Sequence, residues 1–215
     1  MQLHILVVIV AVVLCAIAPR AFATLGTDVS QLTSIEAYQC LAQNNYIFTV
    51  ARAYRESGSI DPNAVSTIAN AWAGGMQYVD AYIYPAVNSG KSPETQIQET
   101  HDNLSNSKYG MLWLDIEGTW SSDYTANVNF IQGMVNEAAA LNITLGMYTS
   151  KNSWTAITGN SDKFSSIPLW YPHYENTPNP SFSDFVPFGG WSKPNVKQYK
   201  GTTSLCGASV DENWY

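Results

Sequence analysis

Two carboxylates at the end of an apolar segment form the arrangement in this sequence that is best suited to catalysis. The segment Met111-Leu112-Trp113-Leu114-Asp115-Ile116-Glu117-Gly118 separates Asp115 from Glu117 by one residue. Side chains alternate along a β-strand, so both carboxylates would point to the same side, with Cα atoms about 6.5 Å apart. Two acids this close do not ionise independently, and one should keep its proton near neutral pH. Acid-catalysed cleavage of a glycosidic bond uses such a pair, one acid as proton donor and the other to stabilise positive charge.

The same two residues have a simpler interpretation. Asp-x-Glu is a common triplet, and Asp115 and Glu117 could begin a loop or cap the next helix. If the pair is catalytic, we expect Asp115 to stay ionised and to set the acid limb of a pH profile. Loss of the Glu117 proton would then set the alkaline limb.

The composition argues against several other classes of function. The chain has 215 residues, a formal charge of −7 and 13% aromatic residues, whereas disordered chains are poor in aromatics. Nucleic-acid binding needs clustered basic residues, and the chain has only three arginines. The segment Asn88-Ser89-Gly90-Lys91-Ser92 lacks the earlier glycine of a phosphate-binding loop. His101 and His173 have no metal-ligand spacing, so we expect neither a metal nor another cofactor.

The first 23 residues have the pattern of a secretory signal peptide. Ile5 to Ala18 is uninterrupted and apolar, which is too short for a bilayer core of about 30 Å. Ala21-Phe22-Ala23 is typical of a cleavage site, and a buried N-terminal strand is the alternative. We therefore expect a secreted monomeric domain over residues 24–215, extracellular or in a lysosomal or phagosomal lumen, without membrane attachment.

The cysteines and two glycosylation sequons agree with secretion. Cleavage would leave Cys40 and Cys206, an even pair in an oxidising compartment. They lie near the two ends of the chain, and the first and last units of a closed barrel are neighbours, so we predict a disulfide. Two unpaired buried thiols are the alternative. Asn103-Leu104-Ser105 and Asn142-Ile143-Thr144 are expected in surface loops.

Strands and helices are predicted to alternate along the first two thirds of the chain. The predicted strands are Leu25–Val29, Ile47–Ala53, Met76–Tyr84, Gly110–Glu117 and Ile143–Thr149. The predicted helices begin at a capping box, Thr33-Ser34-Ile35-Glu36, at Asp61-Pro62, at Ser92-Pro93-Glu94, near Tyr124 and around Trp154. The alternation predicts a parallel sheet.

The helical pattern ends near Ile167. Six of the ten prolines fall between Pro168 and Pro194, and only short strands are predicted, at Leu169–Tyr171, Val196–Tyr199 and Ala208–Val210. A complete eight-fold β/α barrel takes about 250 residues. The shorter chain with five helices therefore predicts an α/β fold in the form of a trimmed TIM-like barrel.

Several segments, in order, resemble a known family. They are Gly26-Thr27-Asp28-Val29-Ser30, Leu112-Trp113-Leu114-Asp115-Ile116-Glu117, Met147-Tyr148-Thr149-Ser150, Leu169-Trp170-Tyr171-Pro172-His173-Tyr174 and Lys197-Gln198-Tyr199-Lys200-Gly201. They are similar to the glycoside hydrolase family 25 lysozymes, the Chalaropsis-type muramidases. Val210-Asp211-Glu212-Asn213 is similar to the closing Asp-x-Asn element of that family. The resemblance covers residues 24–215 and implies a (β/α)5(β)3 barrel.

The resemblance also implies roles for individual residues. Glu117 matches the general acid/base, with Asp115 and Asp28 beside it in the barrel mouth, and Asp211 is either a further mouth residue or a structural anchor. The family cuts the β-1,4 bond from N-acetylmuramic acid to N-acetylglucosamine in bacterial peptidoglycan with net retention. Whether an Asp or the N-acetyl group of the substrate attacks stays open. The aromatic residues expected to contact sugar are Tyr82, Tyr148, Trp170 and Tyr199, with core packing as the alternative for Tyr82.

One position departs from the family pattern and leaves a second class of function open. Many members carry a carboxylate after the second strand, where this chain has Tyr54 or Arg55, with Glu56 displaced towards the loop. A barrel that binds peptidoglycan or chitin-type oligosaccharides without cutting them is therefore the alternative. The presence of Asp115, Glu117 and Asp28 favours an enzyme over a binding protein.

Overall fold

A computed structural model describes residues 24–178 and 181–215, so the predicted signal peptide lies outside the described residues. The strands are β1 (Leu25–Val29), β2 (Tyr46–Arg55), β3 (Ser59–Ile60), β4 (Tyr78–Ile83), β5 (Leu112–Asp115), β6 (Leu145–Tyr148), β7 (Leu169–Pro172), β8 (Val196–Leu205) and β9 (Ala208–Trp214). The helices are α1 (Ile35–Gln43), α2 (Ala64–Ala73), α3 (Pro93–Leu104), α4 (Tyr124–Ala140) and α5 (Lys151–Thr158).

Eight of these strands close into a barrel. The strand order is β1-β9-β8-β7-β6-β5-β4-β2, and β1 also pairs with β2, while β3 forms a short hairpin on β2. The parallel pairs are β1–β2, β2–β4, β4–β5, β5–β6, β6–β7 and β7–β8. Strand β9 is antiparallel to both of its neighbours, β1 and β8. Within the described residues, a helix follows each of the first five barrel strands and none follows the last three. The predicted (β/α)5(β)3 barrel is confirmed.

The helix ends are set by local hydrogen bonds. Ser34, one residue beyond the predicted Thr33, caps α1, since its side chain accepts a hydrogen bond from the backbone N–H of Ala37. Ser92 caps α3 in the same way, as predicted. Asp61 lies just before α2 and its Oδ1 accepts a hydrogen bond from the backbone N–H of Asn63, as predicted for a cap, although the helix itself begins later than predicted, at Ala64.

The core has two layers. Strand residues that point outwards pack against the five helices, and Trp154 and Trp191 belong to this outer layer. A smaller inner cluster fills the barrel, consisting of Phe48, Val50, Trp113, Tyr148 and Trp170. The bulk of Trp113 requires Gly146 on the neighbouring strand β6, because a Cβ there would collide with the indole ring. The inner cluster forms the floor beneath the carboxyl ends of the strands.

The predicted disulfide joins Cys40 in α1 to Cys206 in the turn between β8 and β9, with a Cα–Cα distance of 5.7 Å. It ties the first helix to the last hairpin across 166 residues of sequence. The closure of the barrel makes these two elements neighbours. In the part of the chain that the structure describes, no helix is long and apolar enough for a bilayer span.

The two sequons have different environments. Asn142 is exposed in the turn after α4, as expected for a surface loop. Asn103 instead lies in the last turn of α3, and its side-chain Nδ2 is buried without a hydrogen-bond partner. The expectation of a surface loop is therefore wrong for Asn103, because the helix extends over the first residues of the sequon.

Candidate active site

Four carboxyl groups meet in one pocket at the carboxyl ends of the barrel strands. The pocket is lined by Asp28, Tyr82, Asp115, Glu117, Tyr148, Trp170, Gln198 and Asp211. Asp28 and Asp211 are directly paired across β1 and β9. Asp115 is the last residue of β5, and Glu117 follows it in the next loop. The alternation predicted for Asp115 and Glu117 therefore does bring both carboxyls into the same pocket.

Burial makes all four groups weaker acids, and repulsion from neighbouring carboxylates adds to it for Asp28, Asp115 and Glu117. Burial first, and then the charge of Asp211, raise the pKa of Asp28 to about 7, although hydrogen bonds from Asn213 and Gln198 oppose the shift. Burial and the charges of Glu117 and Asp28 raise the pKa of Asp115 well above its ordinary value. The pKa values of Glu117 and Asp211 are also raised, in both cases chiefly by burial. The pocket therefore binds protons that isolated carboxyls would release.

Asp115 is the acid for which the surroundings least favour a negative charge. It is 7% exposed, and its buried Oδ1 has no hydrogen-bond partner among the described residues. Asp28, by contrast, accepts hydrogen bonds from Gln198 Nε2 at 2.9 Å and from Asn213 Nδ2 at 2.7 Å. The expectation that Asp115 is the ionised partner is therefore reversed. Its hydrogen bonds make Asp28 the better site for a charge.

Gln198 connects three sides of the pocket, and the sequence analysis did not single it out. Its Nε2 donates to Asp28 and, at 3.3 Å, to Asp211 Oδ2. Its Oε1 accepts hydrogen bonds from the hydroxyls of Tyr148 and Tyr174, both at 2.9 Å. All the hydrogen-bonding capacity of the amide is thus used to fix the acids and the tyrosines relative to each other.

A groove leads from Glu117 along the ends of β2 and β4. Its nearer part is lined by Glu56, Tyr84, Glu117, Gly118 and Trp120, among others. Gly118 has a φ of 75°, and a Cβ at this position would collide with the Tyr84 hydroxyl. Glycine therefore permits both the turn after Glu117 and the close approach of the tyrosine.

The comparisons with known proteins agree with this geometry. The family described as "Lysozyme-like protein 1" matches residues 19–199. "Probable GH family 25 lysozyme 4" from Dictyostelium discoideum is 41% identical over 193 residues, which cover 88% of this chain and 89% of that protein. "Probable GH family 25 lysozyme 2" from the same organism is 42% identical and covers 88% and 90%. The chain belongs to the glycoside hydrolase family 25 lysozymes.

Solved structures show the same fold at lower sequence identity. The bacterial lysozyme from Streptomyces coelicolor superposes with a TM-score of 0.71 at 22% identity, covering 90% of this chain and 92% of that one. The family 25 lysozyme from Aspergillus fumigatus gives 0.70 at 20% identity, covering 89% and 93%. The trimmed barrel and the glycoside hydrolase class are thus established for this lysozyme.

The aromatic residues predicted to contact sugar are divided by the structure. Tyr82 and Tyr148 line the pocket of the lysozyme, as expected. Trp170 also lines it, but is 2% exposed, and its Nε1 donates to Asn213 Oδ1, so it lies in the floor rather than as an open stacking face. Tyr199 points away from the pocket and donates to Glu212 Oε2 at 2.7 Å, so its predicted place at the mouth is wrong. Neighbouring strand residues face opposite sides, and Gln198 has the inward position.

His173 lies in a small charged cluster outside the pocket. With Glu175 and Asp184 it offers ligand atoms within 4.8 Å of one another, an arrangement that the sequence spacing did not indicate. The buried ammonium group of Lys197 lies 2.6 Å from Glu175 Oε1 and 2.9 Å from Asp184 Oδ2. The lysine thus already supplies the cation that these two carboxylates require.

Replacing Asp28 by Asn should stabilise the lysozyme at alkaline pH. Because the pKa of Asp28 is raised from 3.8 to about 7, its contribution to stability is full below 3.8 and is lost as the pH rises through about 7. The Asn Oδ1 can still accept both hydrogen bonds. We expect the free energy of unfolding in urea to increase by on the order of 2 kcal/mol at pH 8, with little change at pH 4. Asp162→Asn, the same change in an exposed loop, is the control. If Asp28→Asn destabilises the protein equally at both pH values, the raised pKa of Asp28 is contradicted.

Proposed function

We propose that this lysozyme is a secreted monomer that hydrolyses the β-1,4 bond between N-acetylmuramic acid and N-acetylglucosamine of bacterial peptidoglycan with net retention. The observation that carries the proposal is the convergence of Asp28, Asp115, Glu117 and Asp211 in one pocket. A barrel that only binds glycans has no need for four acids with raised pKa values, so the alternative of a non-catalytic binding protein is less well supported.

In the proposed reaction Glu117 donates its proton to the glycosidic oxygen. Glu117 suits this role because it lies both in the acid pocket and in the groove, so its carboxyl reaches the substrate as well as the other acids. Its raised pKa keeps the proton available at mildly acidic pH. The bond to the leaving sugar then breaks, and Glu117 is left as a carboxylate.

The other acids stabilise the positive charge that develops on the muramic acid ring. Asp28 accepts hydrogen bonds from Gln198 and Asn213, so its carboxyl group is fixed before the substrate arrives. Attack on C1 by an Asp, or by the N-acetyl oxygen of the substrate, gives an intermediate of inverted configuration. Water then attacks with Glu117 as the base, and the second inversion restores the original configuration.

Product analysis tests the bond and the stereochemistry together. Purified peptidoglycan is digested, the new ends are reduced with borohydride, and the products are identified by mass spectrometry. We expect reduced N-acetylmuramic acid, and we expect proton NMR at early times to show the β anomer. Reduced N-acetylglucosamine would place the cut at the other glycosidic bond, and an initial α anomer would contradict retention. If no products form, the chain is better explained as a glycan-binding protein.

The pH and salt dependence should reflect the charges of both partners. The chain carries −7 formally, and bacterial walls are also anionic, so the two repel at neutral pH in low salt. Glu117 must also hold its proton, and burial and the charge of Asp211 raise its pKa above the ordinary value. We expect an acidic optimum, with activity lost at higher pH as Glu117 releases its proton, and added salt should restore neutral activity more than acidic activity. Turbidity assays from pH 4 to 8 at two salt concentrations measure this, and an optimum above neutrality in low salt would contradict it.

A further inference from the structure

The arginines of the described chain lie side by side at the groove. Arg52 and Arg55 share one carboxylate, that of Asp61, which is 1% exposed. Arg52 Nε lies 2.8 Å from Asp61 Oδ2, and Arg55 Nη2 lies 3.0 Å from Asp61 Oδ1. Within the described residues, the hydrogen bonds of both guanidinium groups use only Nε and Nη2. Each Nη1 therefore remains available to a ligand.

The backbone brings Arg52 to the edge of the acid pocket. Its Cα is paired with that of Tyr82, which lines the pocket, and its Nη2 donates to the carbonyl of Ser30 just beyond β1. The strand register shifts between Arg52 and Tyr54, so Tyr54 turns outwards and donates to Glu99 instead. Arg52, rather than Tyr54, is therefore the β2 residue beside the acid pocket.

The arginines and the catalytic acid lie along one continuous surface. Arg52, Arg55, Glu56, Ser57 and Tyr84 line a recess of the groove. Three of these residues, Glu56, Ser57 and Tyr84, also line the adjoining recess that contains Glu117. A glycan held at Glu117 therefore has the two guanidinium groups within the same groove.

The recess holds two guanidinium groups against two carboxylates, so its formal charge is zero, and the free Nη1 atoms are what can attract an anion. Asp61 neutralises one of the two positive charges, and hydrogen bonds from Arg55, the Asn63 backbone and Arg52 keep its pKa low despite burial. Glu56 lines the same recess but is exposed and forms no ion pair among the described residues. The rest of the mouth holds four carboxyls, which would repel an anion. A carboxylate on the substrate can therefore bind at the free Nη1 atoms of the two arginines more favourably than among the four acids.

We propose that Arg52 and Arg55 bind a carboxylate of the peptide that peptidoglycan carries on its muramic acid residues. The inference rests on the proposed function and specifies its substrate as peptide-bearing strands rather than neutral chitin-type glycans. Guanidinium groups bind carboxylates through paired, charge-assisted hydrogen bonds, and such a contact is worth about tenfold in affinity. Arg52 and Arg55 thus determine specificity, while Glu117 carries out the chemistry.

The test compares two substrates that differ only in charge. Uncross-linked peptidoglycan strands are used as prepared, and a second portion has its peptide carboxylates converted to amides with carbodiimide and ammonia. At about 0.1 M salt the Debye length is about 10 Å, so charges far from the groove are screened. We expect the wild type to show a kcat/KM roughly tenfold higher on the acidic strands than on the amidated ones.

The variants separate a local contact from a change in net charge. Arg55→Gln should lose the preference for acidic strands, and Arg55→Lys should keep most of it. Arg52→Gln is the second variant, and in it Asp61 is still paired, because Arg55 remains. Lys108→Gln removes one positive charge from the opposite end of the barrel, before β5, and should leave the preference unchanged. Circular dichroism and thermal melting show whether each variant folds.

Two readouts keep this proposal distinct from the lysozyme function. If wild type and folded Arg→Gln variants cleave both substrates with the same ratio, the arginine proposal is overturned while the lysozyme function stands. If wild type cleaves neither substrate, the lysozyme function fails. Binding of acidic and amidated strands is then compared by calorimetry in Glu117→Gln, with and without Arg55→Gln. A preference that is lost with Arg55→Gln supports the contact, and equal binding overturns it.

Discussion

Replacing Glu117 by Gln is expected to lower the turnover of peptidoglycan by about 10²- to 10⁴-fold, the usual effect of removing general acid/base assistance. Gln has nearly the same shape and can still form hydrogen bonds, but it cannot give a proton to the glycosidic oxygen. Glu117 lines both the acid pocket and the groove. The loss should therefore appear in kcat, with KM changed little. Clearing of a peptidoglycan suspension measures it.

The matched control is Glu137→Gln, the same chemical change in the last turns of α4, at the opposite end of the barrel from the acid pocket. It should retain wild-type turnover, and both variants should melt close to the wild-type temperature. If folded Glu117→Gln keeps most of its activity, another group donates the proton. Asp115 would then be the next candidate, because burial and the charges of Glu117 and Asp28 raise its pKa well above the ordinary value.

Local spacing was sufficient to predict part of this site. Asp115 and Glu117 could be found from the sequence because they are close along the chain and the period of a strand puts them on one side. Asp28 and Asp211 are paired across β1 and β9 but lie at opposite ends of the sequence. No local pattern brings them together, and only the resemblance to a family placed both acids at the mouth.

Errors in the predicted site come from the parity and register of strands. Tyr199 was chosen because it is aromatic, yet the inward position belongs to Gln198, and an error of one residue moves a side chain to the other face. A register irregularity in β2 between Arg52 and Tyr54 turns Tyr54 outwards, which strand alternation does not predict. Such irregularities depend on pairing with neighbouring strands. The sequence carries no local signal for Gln198, because β8 (VKQYKGTTSL) is rich in polar residues and one glutamine does not stand out among them.

Removing the Cys40–Cys206 disulfide should lower the free energy of unfolding by about 5 kcal/mol. The bond closes a loop of 166 residues, and in the chain-entropy model the stabilisation grows with the logarithm of loop length. For a domain of this size the melting temperature should fall by about 10–20 °C. Because the barrel closes between β1 and β9, loss of the bond should first loosen the last hairpin against α1.

The choice of substitution matters because Cys206 has a φ of 56°, and Gly207 follows with 77°. A two-residue hairpin turn with both φ values positive favours Asn followed by Gly. Cys40→Ala combined with Cys206→Asn therefore removes the bond while keeping the turn, whereas Cys40→Ala with Cys206→Ala adds the cost of a poor turn residue. Urea unfolding of both double variants and of wild type separates the two contributions. If the Ala/Asn variant unfolds at the same urea concentration as wild type, the disulfide contributes no net stability to the folded barrel.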